Sequence, residues 1–83
     1  MYEIYLERRA ERDIRKLPRE LGGRIIQEIM NLAQNPRPTQ ARKITRSLND
    51  WRLRVGDHRV LYEINDKDKI ITILKIRHRR EAY

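Results

Sequence analysis

The chain contains no cysteine, so neither a disulfide nor a thiolate-bound metal can take over the work of a hydrophobic core. It has only two histidines, His58 and His78, and no acidic cluster beside them. A metal centre is hard to assemble from that set, and we expect no metal and no cofactor. Long hydrophobic runs are missing too. The longest, residues 70–74, already contains Thr72 and falls far short of the roughly 20 residues that cross a bilayer as a helix. The opening MYEIYL runs straight into Glu7-Arg8-Arg9, which is not the pattern of a secretory signal. These absences lead us to expect a cytoplasmic protein with no membrane partner. At 83 residues the chain has room for one domain and one small core.

What the chain does have is positive charge. Lys and Arg number 20 against 12 Asp and Glu, a net charge of +8. Such an excess favours a polyanionic partner, a nucleic acid or an acidic protein. Of the 20 cations, 15 are arginine, the side chain better suited to two-pronged phosphate contacts. The plain alternative is a generally charged surface of the kind found in thermally robust proteins. Where the charges fall decides between them.

Residues 1–6 alternate, with Tyr2, Ile4 and Leu6 on one side, and predict a short strand. From Arg8 the spacing turns helical: Ala10, Ile14, Leu17 and Leu21 share a stripe. Pro18 breaks it near Leu17 and opens a second helix. Leu21, Ile25, Ile29, Leu32 and Ala33 form the apolar stripe of that helix. Gly22-Gly23 weakens its first turn, and Asn35-Pro36-Arg37-Pro38 ends it. In the first helix Arg8, Arg9, Arg12 and Arg15 alternate with Glu7, Glu11 and Asp13, the pattern of an ordinary solvated face. Trp51-Arg52-Leu53-Arg54-Val55 then alternates as a strand. Gly56-Asp57 suits a two-residue type II′ turn, and residues 58–65 return. A second turn at residues 65–68 leads into residues 69–76 (KIITILKI), apolar on both faces and expected to be central in its sheet. A short charged tail, residues 78–83, follows. The expected fold is α+β: an N-terminal strand, a helical hairpin, then a three-stranded antiparallel meander, all in one sheet with the helices on one face.

The turn fixes the hairpin register. Val55 faces His58, Arg54 faces Arg59, Leu53 faces Val60, Arg52 faces Leu61 and Trp51 faces Tyr62. Trp51, Leu53, Val55, Val60 and Tyr62 belong on the core. Arg52, Arg54 and Arg59 share the other face. Like charges placed directly opposite each other weaken a sheet, so the trio makes sense where an anion normally lies across it. Arg77, His78, Arg79 and Arg80 follow the last strand closely, and Arg42, Lys43 and Arg46 are placed to form a rim. Trp51 reads as core and His58 as plain surface. His78, lying among arginines, reads equally as surface or as site. Tyr83 reads as a frayed end or as an aromatic that stacks on a base.

The order of elements, the segment from Trp51 to Tyr62, and the ending Ile76-Arg77-His78-Arg79-Arg80-Glu81-Ala82-Tyr83 resemble the RelE-type toxins of the RelE/ParE superfamily. The resemblance spans nearly the whole chain, including the break at Leu17-Pro18 and the helix end at Asn35-Pro36. It implies an endoribonuclease toxin that needs no metal. Such toxins cut messenger RNA in the ribosomal A site, where the ribose 2′-hydroxyl attacks its neighbouring phosphate and leaves a 2′,3′-cyclic phosphate. It further implies an acidic, RelB-like antitoxin as partner, and operator DNA bound only through the toxin–antitoxin complex.

On this resemblance Arg52 and Arg54 stand where the family has basic, often lysine, residues. Arg59 matches the phosphate-binding arginine. Arg79 matches the tail arginine that protonates the leaving oxygen, with Arg77 as a competing match because the tail is shorter here. Tyr83 matches the tyrosine that orients the nucleotide, and His78 a position where relatives carry a catalytic histidine. Arg42, Lys43, Arg46, Arg77 and Arg80 are expected to bind RNA. Two other readings stay open on the same residues: a ParE-like gyrase inhibitor, and a nucleic-acid-binding domain with a weak catalytic site.

Overall fold

The computed structural model describes residues 1–47 and 49–80. Alternating Tyr2, Ile4 and Leu6 give β1 (Glu3–Leu6), half-buried on that side and exposed at Glu3 and Tyr5. The helical stripes give α1 (Arg8–Arg15) and α2 (Arg19–Asn31). Pro18 is the N-cap of α2 rather than its first turn, and its carbonyl accepts the Gly22 N–H at 2.8 Å. The rest of the sheet is β2 (Ala41–Lys43), β3 (Asp50–Val55), β4 (His58–Asn65) and β5 (Ile70–His78).

Strand order is β1-β5-β4-β3-β2, with β1 parallel to β5 and the other pairs antiparallel. Four strands therefore follow the helices, not three. The extra one, β2, carries the rim residues Arg42 and Lys43; three residues with a single apolar member give no alternation to read. β5 is interior, as its apolar sequence requires, while β4 takes the middle of the sheet. It starts at Ile70 because Lys69, at φ 58°, closes the preceding turn in the left-handed region.

One register shift organises the sheet. Leu61 pairs with Lys75 and Tyr62 with Ile73, so Leu74 is an extra residue, a β-bulge. A regular strand with Ile71 and Ile73 inward would turn Ile76 outward. The bulge resets the alternation, and Ile71, Ile73 and Ile76 are all buried. They pack with Leu53, Val55, Val60, Tyr62 and Ile64 against Ala10, Ile25, Ile29 and Leu32 of the helical hairpin.

Past Leu6, β1 no longer covers β5. There α1 supplies the missing partner: Asp13 Oδ2 accepts the Ile76 N–H at 3.0 Å. Asp13 is thus more than part of a solvated face, although Glu11 and Arg15 do form the expected exposed pair at 3.4 Å. Asp13→Ala should lose about 1–3 kcal/mol by leaving that N–H without an acceptor, and Asp13→Asn should recover most of it. Urea unfolding of both variants checks this.

At the opposite end, the loop after α2 is tied to the sheet. Tyr62 Oη donates to the Pro36 carbonyl at 2.7 Å, and burial pushes its phenol well above the ordinary value. The Arg37 guanidinium lies 5.3 Å from the Trp51 ring and donates to both Asp66 oxygens, at 2.7 and 3.3 Å. Arg37, and after it the Tyr2 hydroxyl, hold the Asp66 carboxyl below its usual value. A folded pKa below the unfolded one means stability that is present above the unfolded value and is lost as pH falls through the folded one. The stability gap between wild type and Asp66→Asn should therefore be widest near neutrality and close in acid. Thermal unfolding across pH 2–7 measures it, and solvent exposure keeps it small.

Candidate nucleic-acid interface

The hairpin forms in the register that the turn dictates: Val55 opposite His58, Arg54 opposite Arg59, Leu53 opposite Val60, Arg52 opposite Leu61, Trp51 opposite Tyr62. Gly56 has φ 60° and Asp57 does not share the positive φ, as a type II′ turn requires. Leu53, Val55, Val60 and Tyr62 are buried and Trp51 half-buried under the helices. Among the described residues, no helix lies on the opposite face.

That open face is ordered in rows across the strands. Nearest the turn, Arg54, Arg59 and Arg77 stand opposite one another on β3, β4 and β5. The next row is Arg42, Arg52, Leu61 and Lys75, one residue from each of β2 to β5. The row beyond is Asp50, Glu63 and Thr72, which bounds the cationic zone. Facing residues in such rows have Cβ atoms about 4.5–5.5 Å apart. Folding gains nothing from stacking three arginines that way; the arrangement suits a surface that receives anions. Arg42, Arg52, Arg54 and Arg59, with Gln40, line a concavity of about 320 Å³. Arg42 is fixed there by Nη1, which donates to the Thr39 and Ala41 carbonyls at 2.7 and 2.9 Å.

The other expected site residues fall as follows. Lys43 and Arg46 flank a neighbouring concavity that Arg52 also lines. Arg77 belongs to the first row. The tail folds back on the turn: the Arg79 N–H donates to the Asp57 carbonyl at 2.7 Å, and its guanidinium lies 3.8 Å from the Asp57 carboxylate. Arg80 is exposed beyond it. Tyr83 lies outside the described residues.

His78 is not in the cationic rows of the open face. Its ring stands edge-on to His58, centroids 5.0 Å apart, beside Arg9, Asp13, Lys16 and Leu17 of the helical hairpin. The Arg80 N–H donates to its Nδ1 at 3.1 Å. The bulge is the cause: by bringing Ile76 to the core it brings His78 to the same side and sends Lys75 and Arg77 to the open face. Lys75 is the residue the sequence reading missed. The inward set Ile71, Ile73, Ile76, with its change of spacing from two to three, was the signal for it.

The same architecture occurs in solved toxin structures. The chain is 30% identical to a chain of the archaeal RelE–RelB complex from Pyrococcus horikoshii OT3, covering 98% of each with a TM-score of 0.82. It is 25% identical to a chain of the RelBE2 toxin–antitoxin complex from Mycobacterium tuberculosis, covering 93% of this chain and 96% of that one, TM-score 0.82. The isolated Escherichia coli RelE toxin shares the fold at 14% identity, with 99% and 88% covered and a TM-score of 0.83. A helical hairpin on one face of a five-stranded sheet is thus a toxin fold of the RelE/ParE superfamily. No curated protein sequence matches. The family model described as the ParE toxin of the type II toxin–antitoxin system, parDE, matches residues 4–83, and the chain belongs to that family of toxins. Among the described residues, no helix is long and apolar enough to cross a membrane.

Proposed function

We propose that this toxin is a metal-independent endoribonuclease that cuts messenger RNA in the ribosomal A site, in the cytoplasm. The observation that carries the reading is the row Arg54, Arg59, Arg77, in register on three adjacent strands. Attack of a 2′-hydroxyl on its neighbouring phosphate passes through a phosphorane with extra negative charge. Guanidiniums converging on that charge stabilise the transition state more than the ground state, which is what catalysis needs. Arg52, Arg54 and Arg59 hold the scissile phosphate in this reading. Arg79, kept near the turn by Asp57, supplies the proton for the leaving oxygen, and Tyr83 orients the nucleotide.

Arginine is a poor general base. Lys75, an amine in the second row of the same open face, becomes the candidate proton acceptor in place of His78. Arg42, Lys43, Arg46 and Arg80 add charge along the path of the strand. An acidic, RelB-like antitoxin would neutralise the same face, and the complex rather than the toxin alone would hold operator DNA. The Mycobacterium relative comes from the RelBE2 toxin–antitoxin complex and the Pyrococcus relative from a RelE–RelB complex.

A second reading, gyrase inhibition, is favoured by the ParE description of the matching family. Both can be tested side by side. The protein is added to cell-free translation of a defined messenger RNA and, separately, to gyrase-driven DNA supercoiling. The ribonuclease reading expects translation to stop with shortened messenger RNA and supercoiling to continue. Intact messenger RNA with cleaved DNA trapped on gyrase would select the other.

A further inference from the structure

Beside the guanidinium groove lies a concavity of different character. It measures about 380 Å³ and is lined by Lys43, Ile44, Thr45, Arg46, Arg52 and Leu61. Leu61 is the one apolar member of its row and only 8% exposed; it forms the floor. Half-buried Ile44, in the β2–β3 loop, forms a wall. Hydrogen bonds hold that wall in shape. The Ile44 N–H donates to the Asp50 carbonyl at 2.9 Å, the Ser47 N–H to the Ile44 carbonyl at 3.1 Å, and the Asp50 N–H to Ser47 Oγ at 3.2 Å.

We propose that this pocket is a nucleobase subsite, taking the base of an unpaired RNA strand whose phosphate lies in the neighbouring groove. The proposal rests on the reading of the cationic face as an RNA site, and it says which end of the nucleotide goes where. Three observations select the occupant. Arg52 lines both concavities, so the pocket's occupant sits one side chain away from the bound anion; a nucleotide is a flat apolar ring joined to an anion. The rim guanidiniums, Arg46 and Arg52, are cationic, with no carboxylate among the described lining residues, which suits a ligand flanked by phosphates. The interior offers Ile44 and Leu61 to a ring face, and two guanidiniums of the kind that stack on bases. Thr45 is the lining side chain that can both donate and accept a hydrogen bond. It reads the base edge, so discrimination between bases runs through Thr45 and is modest.

The test uses the whole chain and a tetranucleotide RNA with 2′-O-methyl riboses, which cannot be cut by 2′-hydroxyl attack. Four further versions each carry one abasic position. One abasic position should weaken binding about tenfold and the others little. Ile44→Ala and Leu61→Ala should each shrink that penalty, and Thr45→Val should change base preference at that position alone. Ile44→Ala is the principal variant because Ile44 is only half-buried, and thermal unfolding verifies that each variant folds.

Equal binding of all abasic versions, with Arg59→Ala still weakening every one, overturns the subsite and leaves the phosphate groove standing. A parent oligonucleotide that does not bind overturns both. A penalty undiminished in Ile44→Ala and Leu61→Ala puts the base elsewhere and overturns the proposal. So does a result in which those two substitutions weaken binding of an acidic protein partner but not of RNA, because the pocket then takes a protein side chain.

Discussion

Arg59→Ala is expected to lower RNA cutting by about a hundredfold or more while the unfolding midpoint stays level or rises. Arg59 stands in the middle of its row, facing Arg54 on one side and Arg77 on the other. Its bond within the protein is slight, Nη1 to the His58 carbonyl at 3.4 Å. Truncation therefore removes two like-charge contacts, each of which costs the sheet stability, and gives up little in return. For catalysis the same position is the costliest to lose, because it lies where charge from both flanking arginines converges. Arg59→Lys separates charge from shape. It keeps the cation and loses the planar two-pronged donor, so its activity should fall between wild type and Arg59→Ala. Cutting rates and urea midpoints measured on the same preparations decide the matter. A midpoint that falls together with activity would make Arg59 a structural residue and remove it from the site.

Deleting Glu63, which faces Thr72 from β4, is expected to unfold the protein, whereas deleting Leu74 on β5 should be tolerated. Leu74 is the unpaired residue of the bulge. Without it, Ile73 pairs with Tyr62 and Lys75 with Leu61 as before, now consecutively, and every side chain keeps its face. Deleting Glu63 instead turns Ile64 over, because β4 has no extra residue to give up against either β3 or β5. Ile64 is buried. Losing one such side chain from a core costs about 2–5 kcal/mol, a large part of the roughly 5–15 kcal/mol that holds a domain together. Far-ultraviolet circular dichroism and thermal melts of the two deletions make the comparison. The Leu74 deletion should also keep the cationic rows and hence nucleic-acid binding. If both deletions unfold, the bulge bears on stability through more than alternation.

The hairpin was legible in the sequence residue by residue because Gly56 permits one turn and that turn permits one register. The helical stripes and the break at Pro18 were legible for the same kind of reason: a period and a residue that interrupts it. β2 was not, since Ala41, Arg42 and Lys43 pair with β3 alone and carry no period of their own. The bulge was the costly omission. Reading residues 69–76 as apolar on both faces hid the parity change between Ile73 and Ile76. The side chains after it were then unresolved: His78 was left equally as surface or as site and does not join the open-face rows, and Lys75 was overlooked. Asp13 escaped for a different reason. Its role depends on where β1 stops covering β5, a distance in space that neither helix nor strand period records. The arginine trio on β3 and β4 followed from register alone, and the structure extends it with Arg77, Arg42 and Lys75 into rows.

We propose that these rows cut RNA by stabilising 2′-hydroxyl attack. The most direct measurement is primer extension on a defined messenger RNA, with and without programmed ribosomes, joined to mass spectrometry of the new 3′ ends. Cuts at A-site codons that need ribosomes, disappear with Arg59→Ala, and leave a 2′,3′-cyclic phosphate are the expected result. Messenger RNA that stays whole on programmed ribosomes, or cuts that persist undiminished with Arg59→Ala, would contradict it.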